Sequence, residues 1–258
     1  MIKKLLLLPD THVRPGVDLS HIDHIGQFLV DEQPEVVLHI GDWADMHSLS
    51  SYDRGKKCFE GRRYKDDVAA SVEGMARLLT PLRSLQERQR KNKERVYKVR
   101  LVMLAGNHDQ ARINRAVDMD AILEGTISYE DLKYAEFGWE CHDFLKIVEI
   151  EGVAFSHYFT AGVMGRPVSS AKALLQKKHM SAVMGHVQNR DIAFDYRADG
   201  TQITGLFCGT SYSHHEQYLG NQGNNYYRGV WILKNMHEGQ FQAVPYTLDE
   251  LRSSYSNS

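Results

Sequence analysis

The sequence predicts a mixed α/β domain of 258 residues, with two sheets packed face to face and helices outside. Three observations lead there. The first half alternates buried strands with amphipathic helices in the order β-α-β-α-β, a parallel-sheet signature. The second half reads as shorter strands joined by tight turns, an antiparallel pattern. Hydrophobic residues make up 42% of the chain and charged residues 25%, ordinary proportions for a globular protein with a sizeable core. No repeat, low-complexity tract or linker divides it. One domain over 1–258 is therefore expected, with a basic helical insertion at about 50–98.

The first strand is expected in "KKLLLLPDTH", the second in "PEVVLHIGDWAD" and the third in "VRLVMLAGNHD". Each holds a continuous run of Leu, Val, Ile or Met, as a strand buried on both faces requires. Between the first two, Ile22, Ile25, Leu29 and Val30 share one face of a helix over His21 to Gln33. Between the second and third, Val68, Val72, Met75, Leu78, Leu79, Leu82 and Leu85 do the same over Asp67 to about Arg95. Pro81 is expected to kink or divide that helix. Further on, "HDFLKIVEIEGVAFSHYF" reads as two strands joined at Glu151-Gly152, and "SAVMGHV" as another buried strand. "DIAFDYRADGTQITGLFCGT" reads as a hairpin about Asp199-Gly200, "RGVWILKN" as a late strand, and "LRSSYSNS" as a frayed tail.

The net charge of -2 hides an uneven distribution. Arg54 to Arg100 carries 15 Lys/Arg against 6 Asp/Glu, and the rest of the chain 16 against 27. Such asymmetry can mark an anionic partner. Cys58, Cys141 and Cys208 are odd in number and widely spaced, which argues against a disulfide framework and for a reducing, cytoplasmic setting. The opening "MIKKLLLLPDTH" has too short an apolar run for a signal peptide and lacks a small-residue cleavage site. No segment approaches the ~20 apolar residues that span a bilayer, so no membrane partner is expected.

The expected strand ends carry, in order, Asp10 and His12, Asp42, Asn107 and His108, His157, and His186. Singly each has an ordinary reading: Asp-x-His is a turn with a surface histidine, "GD" a turn, "GNHD" a helix cap, and His157 a core or surface histidine. Together they form a set of lone-pair donors that one sheet edge can converge on a divalent ion. Imidazole, carboxylate and amide donors suit Mn, Fe, Zn or Ni better than a thiolate-seeking metal. Asp45 is open between a supporting role at the site and loop packing. His47 is expected on the surface, and His39, inside a strand, as a hydrogen-bonded core residue. The loop "SYSHHEQYLGNQGNNYYRG" (211–229), with His214 and His215, either shapes a substrate pocket or is a surface loop.

In this order the residues resemble the calcineurin-like metallophosphoesterases. The family pattern D-x-H, G-D-x-x-D, G-N-H-[DE], a lone H and G-H-x-H is matched by Asp10/His12, Gly41 to Asp45, Gly106 to Asp109, His157 and Gly185-His186. The resemblance implies a four-layer double β-sandwich flanked by helices and a site for two divalent ions. Asp10, His12 and Asp42 would hold one ion. Asp42, Asn107, His157 and His186 would hold the other, with Asp42 bridging. His108 would be catalytic rather than a ligand, with Asp109 orienting its ring and raising its pKa. The one departure is Gln188, which stands where the family has its second histidine. Either Gln188 or water would then complete a weaker first site.

The substrate class is less constrained. "RGKKCFEGRRYKDD" and "RSLQERQRKNKERVYKVR" interleave basic residues with Tyr52, Phe59, Tyr64 and Tyr97 nearby, the composition of a DNA or RNA contact surface, with Arg62 and Arg63 as candidate substrate contacts. The bland alternative is a solvated helix face with pairs such as Glu87 and Lys91. A phosphodiesterase acting on nucleic acid is the leading expectation. A small-molecule or nucleotide phosphodiesterase or phosphomonoesterase is the alternative. A protein phosphatase is disfavoured because that branch continues as GDxVDRG where this chain reads "GDWADMHS". A non-catalytic scaffold is disfavoured because the ligand set is nearly complete.

Overall fold

The structure, a computed structural model, describes residues 1–215 and 226–256. Its class is mixed α/β. The elements are β1 (Ile2–Leu8), α1 (Ser20–Glu32), β2 (Val36–His39), α2 (Tyr64–Lys91), β3 (Arg100–Leu104), α3 (Arg112–Met119), β4 (Glu140–His142), β5 (Val148–Ile150) and β6 (Val153–Ser156). There follow β7 (Thr160–Ala161), β8 (Arg166–Pro167), α4 (Ala171–Lys178), β9 (Ala182–Met184), β10 (Arg190–Tyr196), β11 (Gln202–Cys208), β12 (Gly229–His237), β13 (Gln240–Thr247) and a last helix, α5 (Leu248–Tyr255).

A six-stranded sheet has the order β13-β12-β1-β2-β3-β4, and a five-stranded sheet the order β10-β11-β9-β6-β5. β1, β2 and β3 are parallel, as the alternating pattern predicts, and β4, which the sequence does not announce, joins β3 in parallel. The two sheets do not divide the chain into a parallel and an antiparallel half. β12 and β13 return to pair antiparallel beside β1, while β6, β9 and β11 form a parallel core in the second sheet. The six-stranded sheet is mixed because β12 and β13 come from distant sequence, which strand patterning cannot foresee, and the five-stranded sheet because β5 and β10 join its parallel core through hairpins.

The run Leu5 to Leu8 shows why these strands are apolar throughout. Side chains alternate, so Leu5 and Leu7 enter a cluster between the sheets with Val102, Phe155, Val183 and Leu206. Leu6 and Leu8 enter another under α1 and α2 with Ile22, Leu29, Met75 and Leu78. A third cluster lies between the far face of the second sheet and α4, through Ala154, Met184, Phe207 and Leu174. Each fully buried leucine contributes roughly 2–3 kcal/mol relative to exposure.

Three expectations are corrected. Pro81 does not divide α2, which continues from Tyr64 to Lys91. Its ring instead lies against α1, where the Gly26 Cα leaves room for the Leu78 carbonyl and the Pro81 ring. The tail is not frayed through Tyr255. Thr247 and Glu250 cap α5 reciprocally, Leu248 and Leu251 are buried, and the Tyr255 hydroxyl donates to Asp31 at 2.8 Å. The basic run also does not form one surface. At ~1.5 Å per residue the 28 residues of α2 extend roughly 42 Å, carrying Arg88 to Arg100 to the start of β3, the end opposite Asn107. Tyr64 and Tyr97 are turned inward, their hydroxyls donating to Asp131 at 2.7 Å and to the Pro34 carbonyl at 2.5 Å. Among the described residues, no helix is long and apolar enough to cross a membrane.

Candidate metal centre

Five parallel strands, β1, β2 and β3 in one sheet and β6 and β9 in the other, end at the same edge. The residues just past those ends are the ones the sequence marks. Asn107 Oδ1 lies 2.9 Å from His157 Nε2 and 2.7 Å from His186 Nδ1, and His157 Nε2 lies 3.3 Å from Asp42 Oδ2. Cis ligands around one octahedral ion stand about 3 Å apart, given bonds of about 2.1 Å. The four groups therefore have the spacing of donors sharing an ion. His157 Nδ1 faces the Ile40 carbonyl at 3.1 Å, which fits a donor there and leaves Nε2 as the ring atom that faces Asn107 and Asp42, the atom through which it would bind an ion.

The second set is looser. His12 Nε2 lies 3.6 Å from the same Asp42 Oδ2 and 4.0 Å from Asp10 Oδ2. Asp42 thus belongs to both sets. Gln188 brings its amide Nε2 to 3.3 Å from His12 Nε2, while its Oε1 accepts from the Tyr212 hydroxyl at 3.1 Å. Rotation of that amide by half a turn would exchange the two atoms and turn the oxygen toward the site. The donor set fits a pair of divalent ions: acceptors converge on two points, and the oxygens not facing them are already satisfied. Asp42 Oδ1 accepts the His108 N–H at 2.7 Å, and the Asp10 carboxylate accepts the His186 N–H at 3.1 and 3.2 Å.

The local backbone explains why glycines precede two of these residues. A Cβ on Gly106 would stand 2.0 Å from Asp42 Oδ1, and one on Gly185 would stand 2.4 Å from Asp10 Oδ1. Only a residue without a side chain lets each carboxylate lie against the neighbouring strand end. His12, Asp42, His186 and Gln188 all have positive φ, between 46° and 65°. Non-glycine residues there cost of order 1 kcal/mol or more each, and such strain gathers at functional sites. No sequence pattern announces that clustering.

The electrostatics follow from burial. Asp10, His12, Asp42 and His157 are at most 1% exposed. Burial opposes the charge of His157, but Asp42 and then Asp10 outweigh it and carry the imidazole up to about 9. Burial also opposes the Asp42 charge, yet His157 and His108 hold that carboxyl well below the usual range. Asp10 is pushed up to about 6 by burial, His157 acting against this and Asp42 with it. Burial and then His157 lower His186 to about 4. The pocket demands positive charge at the point the donors face.

His108 stands beside this centre with its ring 4.3 Å from that of His12. It is near enough to His12 and Asp42 to join them on an ion. Both its nitrogens are otherwise engaged: Nδ1 lies 2.8 Å from Asp45 Oδ1, and Nε2 lies 3.3 Å from the Arg112 guanidinium. Asp45 also takes Arg14 at 2.9 Å and Arg112 at 3.0 Å. This corrects the expectation for Asp109. Its carboxylate accepts from Gly106 N at 2.6 Å and Gln110 N at 2.7 Å, bracing the turn Asn107–Ala111, and has no hydrogen bond to His108. Adjacent residues of a helical turn point in different directions, so the residue after a histidine is badly placed to hold its ring. Nor is the His108 pKa raised: burial and then Arg112 lower it.

The remaining candidates separate. His39 is buried, hydrogen-bonded to Thr11 at 2.8 Å, and lowered to about 3 by burial. His47 packs against buried Asp67 at 3.3 Å instead of standing in solvent. Arg62 is tied to the His47 carbonyl at 3.0 Å and Asp53 at 2.8 Å, while Arg63 binds the Arg62 carbonyl at 2.9 Å. The His214 ring stacks on Tyr212 at 4.5 Å, which in turn lies 5.1 Å from the His12 ring. His215 is exposed. The loop reading for 216–225 lies outside the described residues. Arg14 and Arg112 are contacts that sequence reasoning missed, while Tyr212 belongs to the loop it marked; the i,i+4 spacing of His108 and Arg112 on one helical face is the signal that marks one of the two.

No protein-family model matches the chain. Over 110 residues it is 31% identical to the Gene 54 protein of Mycobacterium phage D29, a match covering 43% of this chain and 37% of that protein. Over 197 residues it is 25% identical to the Gene 54 protein of Mycobacterium phage L5, covering 74% of this chain and 71% of that one. The alignments thus span little more than a third of the first relative and about seven-tenths of the second. Among solved structures, a Thermus thermophilus protein aligns over 95% of this chain and 99% of its own, at 7% identity and a TM-score of 0.41.

Proposed function

We propose that this chain is a dimetal phosphoesterase that hydrolyses phosphodiesters, with nucleic acid as its substrate class. The observation that carries the reading is the position of Asp42 Oδ2, 3.6 Å from His12 Nε2 and 3.3 Å from His157 Nε2, where one carboxylate oxygen serves two ligand sets. Two helix-flanked sheets with the site at their shared edge support the double β-sandwich of the calcineurin-like metallophosphoesterases. Two divalent ions bound there, Mn or else Fe, Zn or Ni, would lower the pKa of a water and neutralise phosphoryl oxygens.

The chain's own residues supply the rest. Asp45 accepts the Nδ1 proton of His108, and its carboxylate would stabilise the imidazolium formed when Nε2 takes up a proton from solvent, the proton that is then given to the departing oxygen. Arg112 sets positive charge beside that nitrogen, suited to a phosphoryl oxygen. For nucleic acid, only the segment from Arg54 to Lys65 lies at the same end of α2 as the site, linked to it through the Arg62 bond to the His47 carbonyl. The remote position of Arg88 to Arg100 favours a second reading, a nucleotide or small-molecule phosphodiesterase.

The test is metal analysis followed by turnover of bis-p-nitrophenyl phosphate, p-nitrophenyl phosphate, single-stranded and duplex DNA, RNA and cyclic nucleotides under several metals. Mn²⁺-dependent diester hydrolysis is expected, and chelation should abolish it. His108→Ala should cut turnover by roughly 10²–10⁴-fold with metal retained. Full metal occupancy with no hydrolysis of any of these compounds would overturn the enzyme reading.

A further inference from the structure

β10 is the last strand of its sheet, and among the described residues it pairs with β11 alone. Its side chains alternate between two settings. On one face Asp191 accepts from Ala171 N and Asp195 from Lys172, both at 2.7 Å, which anchors that face to α4. On the other face stand Ile192, Phe194 and Tyr196. Ile192 is paired across the ladder with Leu206, a residue of the core between the sheets. The core ends there. Ile192 is 39% exposed, Phe194 58% and Tyr196 68%, so this strand overhangs the sheet that covers its neighbours.

Edge strands of monomeric proteins are usually guarded by a bulge, a proline or charged side chains. β10 has neither bulge nor proline, its register with β11 being unbroken from Arg190 to Tyr196, and the charges of Asp191 and Asp195 are tied to α4, which leaves the opposite face apolar. The backbone is also directed outward at the apolar positions. Arg197 N donates to the Thr201 carbonyl at 2.9 Å, and hydrogen-bonded positions alternate along an antiparallel ladder. Odd-numbered residues therefore face β11, while Ile192, Phe194 and Tyr196 turn N–H and C=O away from it. Tyr196 N agrees, donating at 3.0 Å to the Asp195 carboxylate and not to β11.

We propose that this edge pairs with the same edge of a second copy of the chain, antiparallel, about a two-fold axis through Phe194. The occupant and register follow from the strand's charges. Centring on Phe194 sets Ile192 against Tyr196 of the second copy, Phe194 against Phe194, and Asp191 against Arg197, so each opposed charge meets its opposite. Centring on Ala193 would oppose Asp191 to Asp195, and centring on Asp195 would oppose that residue to itself; like charges directly opposite destabilise a pair. Centring on Ile192 would require Gln188, which is buried at the metal centre. Centring on Tyr196 runs off the strand into the turn at Asp199-Gly200. The pairing joins two five-stranded sheets into one and covers the three apolar side chains from both copies. It stands apart from the phosphoesterase reading and survives its failure.

The test is sedimentation velocity of the full chain over a micromolar concentration series, with circular dichroism as the check on folding. A monomer–dimer equilibrium is expected. Phe194→Glu places like charges on the axis of an exposed position and should give monomer at every concentration with an unchanged spectrum. Arg197→Asp should weaken the dimer, because it sets Asp191 against a like charge. With Cys58 and Cys141 replaced by Ser, Phe194→Cys should form a disulfide-linked dimer on mild oxidation, because hydrogen-bonded pairs across an antiparallel ladder hold Cα atoms about 5.5 Å apart. Val163→Cys, at a fully exposed site elsewhere, is the control. A monomer throughout, a dimer indifferent to Phe194→Glu, or equal cross-linking at 163 and 194 would overturn the proposal.

Discussion

Asp45→Asn is the sharpest perturbation of the proposed chemistry, because it changes charge with little change in shape. Asp45 is 4% exposed and carries three cationic or ring partners: Arg14 at 2.9 Å, Arg112 at 3.0 Å and His108 Nδ1 at 2.8 Å. Burial opposes its ionisation, but the His108 hydrogen bond and charge, with help from Arg112, hold its carboxyl well below the ordinary range. An asparagine offers one acceptor oxygen and one donor NH₂ to three donors. At least one of Arg14, Arg112 or His108 must then face a donor. Breaking a buried ion pair on one side costs about 3–5 kcal/mol, so a clear drop in Tm is expected. For catalysis the loss is the charge: a neutral amide beside Nδ1 no longer stabilises the imidazolium that must carry the Nε2 proton to the departing oxygen. That removes roughly 10²–10⁴-fold in kcat, the usual worth of a positioned acid–base group. The measurement is kcat and KM for bis-p-nitrophenyl phosphate at saturating Mn²⁺, with bound metal counted on the same sample. A fall in kcat with unchanged metal content and little change in KM is expected. If kcat stays within threefold while His108→Ala abolishes turnover, the Asp45 charge does not support the ring.

Two further predictions rest on single side chains. Gln188→His should tighten metal at the first site by roughly 10–100-fold, because an imidazole replaces a weak amide donor 3.3 Å from His12 Nε2; unchanged affinity in a chelator competition would exclude Gln188 from that site. His21→Leu should stabilise the protein increasingly as pH falls. His21 is 5% exposed, its ring nitrogens have no hydrogen-bond partner among the described residues, and burial lowers it to about 4. The unfolded chain binds the proton near pH 6.5 and the folded chain near 4, so the wild-type protein loses stability from His21 as pH drops through that window. The loss reaches roughly 2 kcal/mol by pH 5. Denaturant melts of both proteins at pH 7 and pH 5 should diverge at the lower pH, and parallel curves would refute the assignment.

Much of the fold is legible because the local code is strong. Four consecutive leucines can be buried only where a strand has cover on both faces, and both covers exist. What misleads is sequence adjacency. Asp109 adjoins His108 in the chain, yet the turn rotates it toward Gly106 N, and a residue 63 positions away takes the ring nitrogen. The basic stretch is contiguous in sequence but is drawn out along α2, so its charges do not sum at one place. The tail is hard to read for a different reason. Its cap, Thr247 to Glu250, is written in the chain, but its anchor, Asp31, is remote.

The sequence by itself determined which residues would stand at the ends of the buried strands, since apolar runs of that length must stop where the sheet does, and the polar residues that follow lie at its edge. It also determined the chemistry available there, three histidines, two aspartates and an asparagine with lone pairs to share. Only the tertiary structure decided which of these share a point: Asp42 between the two sets, Asp45 on His108, and Gln188 on His12. Register between distant strands sets those distances, and register is decided by how whole sheet faces pack. It likewise decided that β10 overhangs its partner sheet, because whether an apolar strand face is core or surface depends on the extent of a sheet formed by other parts of the chain.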